Sequence, residues 1–183
     1  TLISIDTFRA EVALKSIEAG AAIINDISAG NLDEAMMGVI TKYQVPYFMI
    51  HMRGPPPNMK DLNKSEDLTH ELLFYFSEKI KAARLLGIND IIIDPGFGFS
   101  KNVSQNFELL SNLELFKNLE LPVLEGLSRK STIYKTLGFG PEEALNGTTV
   151  LNTIAITKGA NILRVHDVKE AMEVVKLTSQ LKS

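Results

Sequence analysis

An alternation of short apolar strands with helical patterns constrains the fold more than any other feature of this sequence. The alternation repeats six times over 183 residues, at about 30 residues per unit, and such a repeat predicts a parallel β-sheet. The strands are almost continuously apolar, which predicts that both faces of the sheet are covered. Two α/β architectures fit the pattern: an open doubly wound sheet and a (β/α)8 barrel.

The barrel interpretation is incomplete by two units, because a whole barrel has eight units in about 250 residues. The sequence opens on Thr1 and runs straight into a strand. We therefore expect the first two units to be absent and the parent chain to be longer. Residues 1–183 would then be a single barrel domain of about six βα units. An open sheet would explain the length without any loss, but it would not explain the chemistry at the strand ends.

The predicted elements follow each other along the whole chain. We predict strands at 2–5, 21–24, 45–50, 90–94, 122–124 and 162–166. We predict helices at 12–19, 32–43, 65–86, 107–116, 133–137, 141–158 and 168–181. Gly20 stands where a helix C-terminus favours a left-handed residue. The three prolines at 55–57 predict a stiff extended loop.

The composition argues against several classes of function. With 19 basic and 22 acidic residues the net charge is −3, and no basic block suggests a nucleic-acid partner. The absence of cysteine excludes a disulfide framework, a thiolate nucleophile and a cysteine-ligated zinc ion. No apolar run approaches the roughly 20 residues that a membrane span needs, so a membrane is not an expected partner. The sequence has no zinc-type histidine spacing, dinucleotide fingerprint, Walker loop or Gly-x-Ser-x-Gly elbow.

The stretch 91–101 is the clearest candidate site. Three isoleucines lead to Asp94, and Pro95 ends the strand because it has no N–H for the ladder. Gly96 and Gly98 allow positive φ and a close approach of the backbone to a ligand. Two phenylalanines stand in what should be an exposed loop. An apolar strand that delivers a carboxylate into such a loop predicts a binding site, although a β-turn with a solvated aspartate would also fit.

Polar or ionisable residues lie at the C-terminal end of every predicted strand. In chain order they are Asp6, Asn25 and Asp26, His51 and Arg53, Asp94, the turn 128–130, and Arg164 with His166. In a barrel the C-terminal ends of the strands converge on one face, where active sites are built. In an open sheet they spread along an edge, and only those at the switch point meet. Polar strand ends occur in any α/β fold, but polar groups of mixed chemistry at all six strand ends favour the barrel.

The strand-end residues fall into two chemical groups. Asp6, Asn25 and Asp94 supply hydrogen-bond acceptors and an amide, which suit the edge of a flat heterocycle with guanidine-like donors.

The second group is cationic and suits a phosphate-bearing group: Lys130, Arg164 and His166. His166 follows Arg164 by two residues, so both side chains should share one face of the last strand. Alternatively, Lys130 is a solvated loop residue and His166 a capping or core histidine.

Six stretches of the chain resemble the dihydropteroate synthase family, in the family's order and spacing. They are Ile-Asp-Thr at 5–7, Ile-Asn-Asp-Ile at 24–27, His-Met-Arg-Gly at 51–54, Asp-Pro-Gly-Phe-Gly-Phe-Ser-Lys at 94–101, Gly-Leu-Ser-Arg-Lys-Ser at 126–131 and Arg-Val-His-Asp-Val at 164–168. As a set they are highly specific, whereas Asn-Asp or Asp-Pro-Gly alone would be weak.

The resemblance implies a TIM barrel that joins 6-hydroxymethyl-7,8-dihydropterin pyrophosphate to p-aminobenzoate, releasing pyrophosphate in folate biosynthesis. It implies that the pterin pocket contains Asp6, Asn25, Asp94 and Lys130, with Ile50 on a pterin-facing wall where relatives often have methionine. It implies that Arg164 and His166 hold the pyrophosphate and, with Lys130, are the catalytic residues. It implies that the p-aminobenzoate site is bordered by Phe99, Lys130 and Ser131.

The resemblance also implies Mg²⁺ as the cofactor, a cytoplasmic location and a homodimer. The family's magnesium-binding loop belongs to the first two units, so we expect no metal ligand in this chain. We also expect the 183 residues alone to be inactive and prone to associate, because the barrel would have open edges.

Two other functions remain open. One is a pterin-binding methyltransferase domain of corrinoid systems, which shares the barrel, and the other is a non-catalytic pterin-binding module. The complete Ser-Arg-Lys and Arg-Val-His sets suit a pyrophosphate leaving group and favour the synthase.

Overall fold

The computed structural model describes residues 1–52 and 67–181, and these ranges alternate strand with helix. The strands are β1 (Ser4–Asp6), β2 (Ile23–Asp26), β3 (Tyr47–Ile50), β4 (Ile91–Asp94), β5 (Leu124–Glu125) and β6 (Ile162–Leu163). The α-helices are α1 (Ala10–Glu18), α2 (Met36–Tyr43), α3 (Leu68–Leu85), α4 (Val103–Ser111), α5 (Ser131–Leu137), α6 (Leu145–Thr157) and α7 (Val168–Ser179). Two 3-10 helices span Leu113–Leu119 and Pro141–Glu143.

The strands are parallel and stand side by side in sequence order. β1 to β4 form one ladder and β5 pairs with β6, while a bridge between Ile93 and Val123 joins β4 to β5. Just beyond β6, the Arg164 side chain pairs with Asp6 at the end of β1, with an N–O distance of 2.6 Å. The sheet therefore curves until its two outer strands meet at their C-terminal ends. The predicted partial barrel of about six units is confirmed, and the doubly wound alternative is wrong.

Side chains alternate between the two faces of this curved sheet. The inner face holds a small apolar cluster of Phe48, Ile92 and Leu124, flanked by Ile23 and Ile162. The outer face packs against the helices in the main core, which contains Ile24, Tyr47, Met49, Ile91 and Ile93. Each fully buried side chain of this size contributes about 1.5–3 kcal/mol to folding. The same alternation turns Asp6, Asn25 and Asp94 toward the inside at the strand ends.

The helix predicted at 32–43 begins four residues later, at Met36. The carboxylate of Asp33 accepts hydrogen bonds from the backbone N–H of Ala10 at 2.7 Å and of Ala35 at 3.1 Å. This local bonding offers the backbone an alternative to a helix, so the segment before Met36 forms turns.

The helix predicted at 141–158 is divided in two. Pro141–Glu143 is a separate 3-10 helix, and α6 starts at Leu145. The pattern predicted at 107–116 is likewise α4 followed by the 3-10 helix Leu113–Leu119. α4 starts earlier than predicted because Asn102 and Gln105 form a reciprocal capping box.

The last strand is shorter than predicted and ends at Leu163. The expectation that Arg164 and His166 lie on one strand face was therefore wrong. The expectations for Arg53, for the prolines at 55–57 and for a helix start at Ser65 lie outside the described residues. Within the described ranges, no helix is long and apolar enough to span a lipid bilayer.

Candidate active site at the strand ends

A cleft of about 280 Å³ opens at the C-terminal ends of the strands, and we call it the strand-end cleft. Its lining consists of Asp6, Thr7, Phe8, Asn25, Ile27, Ile50, Asp94, Phe99, Gly126, Lys130 and Arg164. A larger groove, of about 510 Å³, lies between α6, β6 and α7 and is lined mainly by apolar side chains. Charged side chains meet in the strand-end cleft and are absent from the lining of the larger groove, so the cleft is the candidate active site.

Seven of the nine predicted substrate-binding residues line this cleft: Asp6, Asn25, Ile50, Asp94, Phe99, Lys130 and Arg164. The other two, Ser131 and His166, do not belong to the lining. Sequence reasoning missed Thr7, Phe8, Ile27 and Gly126, which also line it. Each of these lies within two residues of a strand-end polar residue or of the turn 128–130, and that proximity is the signal that would have found them.

Asp94 is delivered by β4 and is only 5% exposed. One of its oxygens accepts a hydrogen bond of 2.7 Å from the backbone N–H of Gly96. Burial raises the pKa of Asp94, although the positive charge of Lys130 and the Gly96 bond act in the opposite direction. The carboxyl group is therefore poorly solvated and gains from any ligand that donates hydrogen bonds to it.

The loop after β4 needs its two glycines, as predicted from sequence. Gly96 and Gly98 have φ of +75° and +79°. A Cβ on Gly96 would overlap the carbonyl oxygen of His51, and one on Gly98 would come within 3.0 Å of Lys130 Cδ. The close approach that these two glycines allow is therefore between parts of the chain itself. Phe97, expected to be exposed, is completely buried in the core.

Asp6, Asn25 and Arg164 form a connected group at one side of the cleft. The Asn25 amide nitrogen donates to one oxygen of Asp6, and Arg164 donates to the other at 2.6 Å. Asn25 is only 5% exposed, and its own amide oxygen has no hydrogen-bond partner among the described residues. A buried acceptor without a partner is costly, so this oxygen is ready to accept a donor from a ligand.

Lys130 approaches the cleft from the turn that follows β5. Its Nζ donates to the backbone carbonyl of Phe97 and lies 4.6 Å from the centroid of the Phe99 ring. Burial lowers the pKa of Lys130, while the negative charges of Asp94 and Glu125 act to raise it. The ammonium group is thus partly dehydrated, and it interacts more strongly with an anion than a solvated lysine does.

Arg129 has a structural role. Its guanidinium group makes two hydrogen bonds of 2.8 Å to the carboxylate of Asp167 and donates to the carbonyl oxygens of Pro141 and Glu142. The hydrogen bond between them raises the pKa of Arg129 and lowers that of Asp167. This pairing joins the turn 128–130 to the start of α7, so Arg129 is not available as a cation for the cleft.

His166 is exposed and connects to the same turn. Its backbone N–H donates to Ser128 Oγ at 3.1 Å, and Ser128 Oγ lies 2.9 Å from His166 Nδ1. These two contacts hold His166 against the turn 128–130.

Two other strand-end residues turn away from the cleft. Asp26 is fully buried on the helix side, where it accepts from Tyr47 at 2.6 Å and from the backbone N–H groups of Ser28 and Gly30 at 2.8 Å. His51 is buried, with Nδ1 3.3 Å from the Lys101 amine. Neither side chain lines the cleft.

Glu125 is a buried acid that the sequence interpretation missed. It ends β5, and one of its oxygens accepts a hydrogen bond from the backbone N–H of Leu127. Burial raises its pKa to about 8, supported by the charge of Asp94 and opposed by the Leu127 bond and Lys130. The signal was present, since an acid followed by glycine ends this strand much as Asp94 ends β4.

Within 1–52 and 67–181, no three His, Asp or Glu side chains come together in a way that could hold a metal ion. The described part of the chain therefore does not fit a metal site of its own.

Comparison with known proteins first defines the class. A family model described as pterin binding enzyme matches residues 1–166, and the chain therefore belongs to the pterin-binding enzyme family.

Several relatives within this family are dihydropteroate synthases. The one from Escherichia coli K12 is 40% identical over 177 residues, which are 96% of this chain and 62% of that relative. The crystal structure of the Yersinia pestis enzyme in a sulfonamide drug complex matches with a TM-score of 0.95 and 35% identity, over 100% of this chain and 67% of that one. The Xanthomonas albilineans enzyme with 4-aminobenzoic acid matches with a TM-score of 0.92 and 34% identity, over 100% and 65%. The chain thus spans about 62% of the length of the E. coli relative.

Proposed function

We propose that this chain is the larger part of a dihydropteroate synthase, a transferase that condenses 6-hydroxymethyl-7,8-dihydropterin pyrophosphate with p-aminobenzoate. The main support is one observation about a chain of the pterin-binding family. Hydrogen-bond acceptors and cations line one cleft, and they come from β1, β2, β4 and the segments after β5 and β6. The similarity to dihydropteroate synthases supports the choice of reaction.

The acceptor side suits the pterin ring. The buried Asp94 carboxylate would accept two hydrogen bonds from the guanidine-like edge of the pterin. The Asn25 amide oxygen, which lacks a partner among the described residues, would accept a third. Asp6 holds the Asn25 amide in place, and Ile50, which lines the cleft, would pack on the face of the ring. Ring donors would thus satisfy groups that are costly to leave buried and unpaired.

The cationic side suits the diphosphate. Arg164 is paired with Asp6, but both side chains are more than half exposed, at 55% and 57%. An exposed ion pair contributes only about 0–1 kcal/mol, so the guanidinium group can turn to a diphosphate at little cost. Lys130 lines the cleft, and His166, which contacts Ser128, is two residues from Arg164 in the chain. We assign Lys130, Arg164 and His166 as the catalytic residues.

The reaction needs charge neutralisation and positioning rather than a protein nucleophile. The bond between the pterin methylene carbon and the diphosphate oxygen breaks, and its electron pair leaves with pyrophosphate. The amine nitrogen of p-aminobenzoate then bonds to the methylene carbon and loses a proton. Cations that stabilise the leaving group lower the barrier of the first step, and a fixed amine lowers the barrier of the second.

The arylamine would bind at the outer end of the cleft. Phe99 offers an aromatic face below the Lys130 ammonium group, and Ser131 begins α5 next to Lys130. A benzoate ring stacked on Phe99 would point its carboxylate toward these polar groups. The Xanthomonas albilineans relative was solved with 4-aminobenzoic acid, which supports p-aminobenzoate as the second substrate by similarity.

We propose Mg²⁺ as the cofactor only as an ion that binds together with the diphosphate of the substrate. Mg²⁺ is usually bound by one or two carboxylates together with substrate phosphates. The described residues do not form a metal site of their own, so we assign no step to the ion. Pyrophosphate release measured with and without a chelator tests the requirement.

We propose that residues 1–183 form a single pterin-binding domain of a longer cytoplasmic chain that acts as a homodimer. The continuous sheet supports a single domain, and the 62% coverage of the E. coli relative supports a longer chain. Sedimentation of the intact protein tests the dimer.

The direct test is pyrophosphate release by the intact protein that contains this chain. The expected result is stoichiometric release of pyrophosphate and formation of dihydropteroate only when both substrates are present. A Lys130→Gln variant should lose most of this activity, and Lys81→Gln, at an exposed position of α3, should keep it. Pterin binding without release would indicate a non-catalytic module, and methyl transfer from a pterin would indicate the corrinoid type. Either result would contradict the proposal.

A further inference from the structure

Glu125 is completely buried at the end of β5, outside the lining of the strand-end cleft. Its neighbour Leu124 belongs to the apolar cluster on the inner face. Because side chains alternate along a strand, Glu125 faces the helices, as does its β6 partner Leu163, which packs against the main core. A carboxyl group in such a place needs a specific role, since burial without full hydrogen bonding is costly.

One oxygen of this carboxyl group fixes the turn that follows. Oε1 accepts from the backbone N–H of Leu127, and the Leu127 carbonyl accepts from the backbone N–H of Lys130 at 3.1 Å. Within the turn, Arg129 has a φ of +53°, which is unfavourable for a residue with a Cβ. The Glu125 carboxyl group therefore holds the first amide of a strained turn whose last residue is Lys130.

The direction of the Lys130 side chain depends on this turn. The side chain runs close to Gly98, and its amine bonds to the Phe97 carbonyl. There is little free space along this path, because a Cβ on Gly98 would lie 3.0 Å from Lys130 Cδ. A small shift of the Lys130 backbone would thus move the ammonium group away from Asp94 and Phe99. Misplacement of a catalytic group by about 1 Å can reduce turnover roughly 100-fold.

We propose that Glu125 is a positioning residue for the reaction in the strand-end cleft: through the Leu127 amide, its carboxyl group holds the turn that presents Lys130 to the diphosphate-bearing substrate. The identity of that substrate rests on the function proposed above, whereas the hydrogen bond to Leu127 does not. Glu125 acts through Leu127 and Lys130 and makes no contact with the substrate.

The second oxygen makes the arrangement depend on pH. Oε2 has no hydrogen-bond partner among the described residues, and burial raises the pKa of Glu125 to about 8. The charges that act on it are those of Asp94 and Lys130. α6 contains no charged residue, and Lys135, the one charged residue of α5, is exposed. Glu125 is therefore neutral near pH 7 and becomes a carboxylate above pH 8, where its charge opposes that of a diphosphate.

Three variants of the intact protein separate the possibilities. Glu125→Gln keeps an acceptor oxygen and stays uncharged at every pH, whereas Glu125→Leu removes the acceptor at similar volume. Glu143→Gln makes the same chemical change at an exposed position and is the control. We expect Glu125→Leu to lower kcat roughly 10- to 100-fold, and Glu125→Gln to restore most of that loss. The KM for the pterin diphosphate should rise above about pH 8 in the natural protein and the control, but not in Glu125→Gln.

Amide hydrogen exchange at Leu127 gives a readout that needs no turnover. The Leu127 amide should be protected in the natural protein and in Glu125→Gln, and should exchange faster in Glu125→Leu. Unchanged protection in Glu125→Leu would overturn the proposal, as would equal losses of kcat in both Glu125 variants. If Glu125→Leu does not fold, amide exchange in the natural protein decides, and rapid exchange of the Leu127 amide there would overturn the proposal. If the natural protein releases no pyrophosphate, the proposed reaction fails, while the exchange result still decides the role of Glu125.

Discussion

At the scale of single residues, the burial of Asp94 lowers stability and favours binding at the same position. Burial raises its pKa, so in the pH range between the ordinary value of 3.8 and the raised value the folded state keeps a proton that the unfolded state has lost. Stability therefore falls as pH rises through this range and stays lower above it. The same poorly solvated carboxylate binds a guanidine-like donor strongly.

Replacement of Asp94 by asparagine should separate these two effects. The amide oxygen can still accept from Gly96, but the charge is gone. We expect Asp94→Asn to raise the free energy of unfolding at pH 7, because the cost of burying a charge is removed, and to weaken pterin binding roughly 100-fold. Chemical denaturation and calorimetry on the intact protein measure the two quantities. Asp90→Asn, at an exposed position before β4, is the control, and tighter pterin binding by Asp94→Asn would contradict the role of the carboxylate.

Glu125 makes a separate prediction about stability. Its pKa is about 8 in the folded protein against an ordinary value of 4.5, so the folded state binds the extra proton between these values. The natural protein should lose stability relative to Glu125→Gln as pH rises through this window, by up to about 1.4 kcal/mol per pH unit. Denaturation curves of both proteins at pH 5, 6, 7 and 8 test this. Parallel pH profiles would show that Glu125 does not titrate in this range.

Residue types at strand ends predicted much of the candidate site. Asp6, Asn25 and Asp94 stood out because a polar group at the end of an apolar strand is conspicuous. Glu125 was missed because the predicted strand stopped at residue 124, one position before the acid that ends β5. The place of His166 depended on where β6 ends, and a strand boundary is set by pairing with β5 rather than by the residue itself.

At the scale of elements, the turn after β4 determines where the cleft wall lies. Gly96 has a positive φ, and any Cβ there would overlap the His51 carbonyl. We expect Gly96→Ala to lower the free energy of unfolding by about 3 kcal/mol or more, because backbone strain and a steric clash add. Gly138 has a similar φ of +79° with open space around it, so Gly138→Ala should cost only about 1–2 kcal/mol. Equal losses in both variants would contradict the close contact with His51.

Hydrophobic periodicity predicted the six strands, their order and seven helical segments, because a parallel sheet with helices repeats one simple pattern. The ends of the helices were less predictable. α2 begins late because the Asp33 side chain binds the Ala10 amide, a contact between residues 23 positions apart. The 3-10 helix Leu113–Leu119 continues the apolar spacing of α4, so periodicity alone does not distinguish the two. Pro141–Glu143 has the proline and acidic residues typical of a helix start, so its separation from α6 was not evident from the sequence.

At the scale of the whole molecule, the first and last strands meet through Asp6 and Arg164, which are 158 positions apart in the chain. We expect Arg164→Ala to reduce turnover roughly 100-fold, because the leaving diphosphate loses a cation. Binding of a free pterin should change little, since Arg164 does not contact the acceptor side of the ring in the proposed mode. The thermal midpoint should also change little, because exposed ion pairs contribute about 0–1 kcal/mol.

Steady-state kinetics and calorimetry on Arg164→Ala test this separation. Arg84→Ala, at an exposed position near the end of α3, is the matched control and should leave both quantities unchanged. Equal losses of turnover and of free-pterin affinity in Arg164→Ala would contradict the assignment of Arg164 to the diphosphate.

We propose above all that the strand-end cleft binds a pterin through its hydrogen-bond acceptors and stabilises the leaving diphosphate with its cations. A crystal structure of the intact protein with a non-reactive pterin diphosphate analogue measures this directly. We expect the ring donors within hydrogen-bonding distance of Asp94 and of the Asn25 amide oxygen, and the diphosphate beside Lys130 and Arg164. A pterin bound in the groove between α6 and α7, or one in the cleft with its diphosphate directed away from both cations, would contradict the account.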